Sequence, residues 1–167
     1  HFYEIEAGIG VHKSPELYGA FPTDPYSHTP LHRGAQQPGM TGQVKEDILA
    51  RFGELGVVVR AGRLSFIPCL LRKGEFLKTA QTIEYLDARG VRTALQLEPG
   101  TLCFTCCQVP VVYRIQDNDR LELVFADGKS ATFDTLELDE ATSRQVFQRN
   151  GAIRQILVSV RKTRLRD

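Results

Sequence analysis

A chain of 167 residues, 42% apolar and 25% charged, is long enough to bury a real core, and its composition is neither that of a disordered segment nor that of a membrane-embedded one. A formal net charge of +1 supplies no field to draw it to nucleic acid or anionic lipid. No segment reaches the length of a transmembrane helix, and the start at His1, with neither an initiator Met nor a basic–apolar–small signal pattern, suggests a fragment or a processed chain.

Residues 1–40 read as an arm. All four histidines (His1, His12, His28, His32) and five of the eight prolines lie here, and the prolines with Gly19, Gly34 and Gly39 prevent a sustained helix or central strand. The aromatics Tyr18, Phe21 and Tyr26 and the low charge are wrong for a solvated tail, so a proline-braced loop is expected. Residues 41–56 read as one amphipathic helix. Thr41 is a natural N-cap, Glu46 and Asp47 place negative charge early, and Val44, Ile48, Leu49, Phe52 and Leu55 form an apolar stripe. Gly56 then stands in the usual C′ position. At about 100° per residue, Gln43 and Glu46 fall away from that stripe.

Residues 57–167 predict an antiparallel β-sandwich, so the fold class expected is mostly β with one amphipathic helix and a long Pro/Gly-rich arm. "GVVVRAGRLSF" and "TIEYLDARGVRTALQL" read as hairpins around "RAGR" and "DARG". "VVYRIQDNDRLELVFADGKSATFDTLEL" reads as a meander turning at "QDND" and "ADGK". A short helix, "DEATSRQVF", leads to a final strand, "AIRQILVSV", and the basic tail "RKTRLRD" reads as a solvated end. Strands every 8–12 residues with turn signals between them are the sandwich pattern. The cysteines Cys69, Cys103, Cys106 and Cys107 have no second ligand pair at zinc spacing and sit among β-formers, so buried free thiols in a reducing compartment are expected, with no metal and no cofactor.

The order of elements resembles the C-terminal end of six-hairpin glycosidase-like enzymes, particularly the cellobiose phosphorylase-like group. A loop rich in Tyr, His, Gly and Gln runs into a helix opening with Thr-Gly. "FGELGV" ends that helix, and "GRLSFIPCLL", "EFL" and "EYLD" follow, so the likeness covers about residues 18–90. In that family the last helices of an (α/α)6 barrel precede a β-rich cap. The resemblance implies that Thr41 and Gly42 lie beside a bound phosphate, as unpaired N–H groups at a helix start would favour. It makes Gln36, Gln37, His28 and Tyr26 candidate sugar or phosphate contacts, since amides donate and accept together and an aromatic ring stacks on a sugar. His32 is a weaker candidate than His28.

Glycoside hydrolysis needs two carboxylates, whereas inverting phosphorolysis needs only the acid. Asp24 and Glu46 are the available candidates, but the family's acid lies upstream of these elements. The expectation is therefore the C-terminal part of a carbohydrate-active enzyme, a glycoside phosphorylase or hydrolase, carrying part of an active site. Its partners would be the rest of its own polypeptide, an oligosaccharide and phosphate, in the cytoplasm, with no nucleic acid and no membrane and with oligomerisation open. The alternative is a non-catalytic β-sandwich that binds carbohydrate or packs on a neighbouring domain. A cysteine nucleophile at Cys106 or Cys107 would need an imidazole within hydrogen-bond reach.

Overall fold

The computed structural model describes the backbone of residues 41–167 and the side chains from residue 48 onward. Asp24, Tyr26, His28, Gln36 and Gln37 lie outside the described residues, as do the aromatics and the other histidines of the arm. Helix α1 spans Thr41–Leu55, starting and stopping where the Thr-Gly opening and Gly56 predict. Gly56 has φ +69°, and its carbonyl accepts from the Ile67 amide at 2.8 Å. A Cβ there would lie 2.1 Å from the Ile67 carbonyl carbon, so the contact demands glycine for space as well as for backbone angle.

Residues 50–167 form one compact unit. Strands β1 (Val57–Arg60) and β2 (Arg63–Phe66) pair as an antiparallel hairpin whose turn residues, Ala61 and Gly62, both have positive φ. Strands β3 (Gln81–Leu86) and β4 (Arg92–Leu97) form a second, separate hairpin. Strands β5 (Thr101–Cys106), β6 (Val109–Gln116), β7 (Arg120–Phe125), β8 (Ser130–Phe133) and β9 (Ile153–Arg161) make a five-stranded sheet in the order β5-β6-β9-β7-β8. Helix α2 (Glu140–Gln148) precedes β9 and is capped by Asp139, which accepts from the Thr142 amide at 2.7 Å.

The chain is mostly β, as its strand spacing predicts. The large sheet is mixed, however: β9 pairs parallel to β6 and antiparallel to β7. β6 and β7 therefore do not form the hairpin expected around "QDND", because β9 lies between them. Asp119 in that connection holds the arrangement. Its carboxylate accepts from the Arg161 amide and guanidinium at 3.0 Å each and from Arg164 Nε at 2.9 Å. The basic tail is thus not a free solvated end. Leu165 is buried, the Arg166 amide donates to the Leu71 carbonyl at 2.8 Å, and Lys73 pairs with Asp167.

The core lies between the β1–β2 hairpin and one face of the large sheet. Phe66, Phe104 and Tyr113 meet there, with Tyr113 edge-on to both, at 6.4 Å from Phe66 and 5.4 Å from Phe104. Leu64, Leu71, Leu121, Leu123, Ile156, Val158 and Val160 are fully buried around them, each stabilising the fold by about 1.5–3 kcal/mol. Two polar groups fix this core. The Tyr113 hydroxyl donates to the carbonyl of Leu55, the last residue of α1. Ser143 Oγ of α2 accepts from the Leu64 amide at 2.9 Å and donates to the Asp139 carbonyl at 2.7 Å.

Among its described side chains, the stripe of α1 is buried only at its end. Leu55 joins the core, whereas Ile48, Leu49 and Phe52 are 51%, 69% and 40% exposed. What the unit buries beside Leu55 is Glu54, held by Arg51 at 2.6 Å, and Arg51 also reaches Glu75 at 2.6 Å.

Candidate functional site

A cleft of about 270 Å³ opens beneath the β3–β4 turn, with Tyr85, Asp87 and Arg89 on the hairpin side and Gln108, Ile153 and Arg154 on the sheet side. Its hairpin wall is rigid for reasons visible in the turn "DARG". Asp87 Oδ1 accepts from the Arg89 and Val91 amides at 2.9 Å each, and Oδ2 faces the Arg89 guanidinium at 3.3 Å. The Val91 amide, with that of Arg89, holds the Asp87 carboxyl below the ordinary carboxylate range.

The sheet side is built from two irregularities. The β5–β6 connection is a tight turn made by Cys107 (φ +51°) and Gln108 (φ +65°), neither of them glycine. Non-glycine residues with left-handed backbone are uncommon and cost about 1–2 kcal/mol each. This turn aims the Gln108 amide under the hairpin, where Nε2 donates to the Asp87 carbonyl at 3.4 Å. Gln108 Oε1 is buried with no hydrogen-bond partner. The second irregularity is a β-bulge in β9. Val124 pairs with Gln155 and Phe125 with Ile153, which leaves Arg154 as the extra residue. Bulges bend a strand and re-aim a side chain, and here Ile153 and Ile156 stay buried while Arg154 turns outward to the cleft.

Burial pushes the Tyr85 hydroxyl above its usual pKa, and the charge of Arg154 opposes that shift. Arg154 has no ion-pair or side-chain hydrogen-bond partner among the described residues. The cleft thus offers one cation without an ion-pair partner among the described residues and one phenol on a firm frame. None of these residues was singled out from the sequence. The signals that point to them are the broken alternation in "AIRQILVSV" and a strand run interrupted by "CQ" without Gly or Asn.

Of the sequence-derived candidates, Asp24, Tyr26, His28, Gln36 and Gln37 lie outside the described residues. Thr41 and Gly42 form the first turn of α1 and Glu46 lies in its second, with their side chains outside the described set. The thiols divide by burial. Cys69 is exposed, while burial pushes Cys103 up to about 11 and, with the neighbouring Cys107, Cys106 up to about 12. Both of these stay protonated near neutral pH and are poor nucleophiles. No group of three or more His, Cys, Asp or Glu among the described residues could hold a metal ion, and no described helix is long and apolar enough to cross a membrane.

Comparison with known protein families and with characterised proteins finds no match to this chain, so its reading rests on the fold, the cleft and the residues of α1.

Proposed function

We propose that the chain is the C-terminal part of a carbohydrate-active enzyme, a glycoside phosphorylase or hydrolase of the six-hairpin type. In this reading α1 is the last helix of the barrel. Thr41, Gly42 and the loop before them contribute to a sugar or phosphate site, and the β-rich unit is a structural cap.

The observation that carries the reading is the exposed flank of α1. Ile48, Leu49 and Phe52 lie on the same apolar stripe as Leu55 and are exposed, whereas Leu55 is buried in the core. An apolar stripe exposed along part of its length calls for a second surface to pack against. Preceding barrel helices of the same polypeptide would supply the second. The opening Thr-Gly adds backbone N–H groups at the positive end of the helix dipole, where an anion is favoured.

The test is the double variant Leu49→Ser/Phe52→Ser in the 167-residue chain. If this flank is a docking face, the variant melts within a few degrees of the native chain, while self-association and dye binding to apolar surface fall. A large melting-point loss, as for the about 3–5 kcal/mol of truncating a buried Phe, would place the flank inside this chain's own core and overturn the reading.

A further inference from the structure

We propose that β1 is a docking edge for a second copy of this chain, the two β1 strands pairing antiparallel about a two-fold axis at Val58. This interface is separate from the cap reading, which concerns the exposed flank of α1.

The hydrogen-bond phase of the first hairpin fixes what that edge offers. Its two-residue turn makes Arg60 and Arg63 a bonded pair, and the Ile67 amide on the Gly56 carbonyl at 2.8 Å continues the same phase. Residues 56, 58 and 60 therefore bond to the β2 side, and the amides and carbonyls of Val57 and Val59 point away from it. The corresponding groups of β2 are covered. The Leu64 amide donates to Ser143 Oγ, its carbonyl accepts from the Leu138 amide, and the Phe66 amide donates to the Leu136 carbonyl. No described residue bonds Val57 or Val59 on the outer side of β1.

The edge is also apolar and unguarded. Val58 and Val59 are 42% and 57% exposed, one on each face of the strand. Residues 57–60 carry no proline and no lysine, and their pairing with β2 has no bulge, so the usual devices that keep free edges apart are missing. A second copy fits this edge by symmetry. With Val58 opposite its own counterpart, each Val57 faces the other copy's Val59 as a bonded pair, and four backbone bonds use every outward group of both strands. The charges match as well. Arg60 is exposed with no ion-pair partner among the described residues. This register brings it to Gly56 of the other copy, at the carboxyl end of α1, whose last turn has no basic residue of its own. An unrelated extended peptide would satisfy the backbone groups but would bring no helix end to Arg60.

The experiment is analytical ultracentrifugation of the 167-residue chain at rising concentration, reaching the weak-binding range expected of an interface well below ~1,200 Å². Val59→Pro and Val58→Lys are each made in the native chain and in the Leu49→Ser/Phe52→Ser background, where association through α1 is removed. Val59→Pro takes away only an outward amide, so the β1–β2 ladder and the circular dichroism spectrum should be kept. The expected result is that Leu49→Ser/Phe52→Ser still dimerises. Val59→Pro, and Val58→Lys with its two like charges face to face, should each weaken that dimer at least about tenfold. Disulfide trapping gives an independent reading should Val59→Pro fail to fold. In a Cys69→Ser background, Val58→Cys should cross-link to its own copy under copper phenanthroline and air, because the pair across the axis has its Cα atoms about 4.5 Å apart. Val59→Cys, which faces position 57 of the other copy, should not. The proposal falls if the chain stays monomeric, if folded Val59→Pro dimerises as tightly as the native chain, or if cross-linking is no greater at 58 than at 59. A dimer abolished by Leu49→Ser/Phe52→Ser alone would place association on α1, overturning this proposal and leaving the cap reading standing.

Discussion

Replacing Gly56 by alanine should be among the most damaging methyl additions available to this protein. The added Cβ would sit 2.1 Å from the Ile67 carbonyl carbon, 2.2 Å from its oxygen and 2.3 Å from the Pro68 nitrogen. Normal carbon contacts lie near 3.5–4.0 Å, so the two backbone segments must part by more than an ångström. That movement breaks the Ile67 N–H to Gly56 carbonyl bond and pulls on Phe66, which is fully buried one residue earlier. The left-handed backbone contributes about 1 kcal/mol, the lost hydrogen bond about 1 and the overpacking about 1–3, for a total of about 3–5 kcal/mol. Gly100 is the internal control. It has φ +76° with nothing within 4 Å of a Cβ, so Gly100→Ala carries the backbone cost alone. Urea unfolding followed by circular dichroism measures both. At about 4 °C per kcal/mol for a unit of this size, Gly56→Ala should melt about 10–15 °C below Gly100→Ala. Two variants within 1 kcal/mol of each other would refute the close approach.

Two further outcomes follow from buried polar contacts. Tyr113→Phe keeps the three-ring cluster but strips the Leu55 carbonyl of its donor, and should lower unfolding free energy by about 1–3 kcal/mol, read as a shift in urea midpoint without a change in slope. Burial by itself would raise the Asp119 carboxyl, but the Arg161 amide and the Arg161 and Arg164 guanidiniums outweigh it and hold the pKa below its ordinary 3.8. A depressed folded-state pKa gives stability that is complete above the unfolded value and is lost as pH falls through the folded one. Asp119→Asn should therefore cost about 1–2 kcal/mol at pH 6, discounted for the exposed Arg161. The gap should shrink below about pH 4, and a gap that stays constant from pH 6 to pH 2 would show that the carboxylate charge has no part in holding β9.

Local chemistry made much of this fold legible. The turns "RAGR", "DARG" and "ADGK" were readable because Gly62, Gly90 and Gly128 supply the positive φ each turn needs. Gly56 marked the end of α1 for the same reason. The turn at Cys107–Gln108 carried no such mark, since its residues adopt left-handed angles only because β5 and β6 pair on either side. The insertion of β9 is non-local and leaves no turn signal. Its trace is compositional: "VPVVY" and "ILVSV" are near-continuous apolar runs, the mark of strands covered on both faces. The amphipathic pattern of α1 was visible, but a stripe says only that a flank wants a partner. Of the cleft, Asp87 was legible as a turn residue, whereas Arg154 and Gln108 meet only through tertiary structure.

The central position of β9 also governs the order in which the sheet can be completed. The ribosome delivers residues 153–161 after every other strand of that sheet. Until then β5–β6 and β7–β8 are two separate hairpins flanking a vacant slot, each with an unsatisfied edge. Commitment to the native state is postponed to that arrival, and a nascent chain halted short of it exposes two templates for strand addition by a neighbouring molecule. The same vacancy makes the domain divisible. A fragment ending after α2 should accept a separate peptide spanning β9 as its missing middle strand, with the Asp119 clasp closing over the peptide's end.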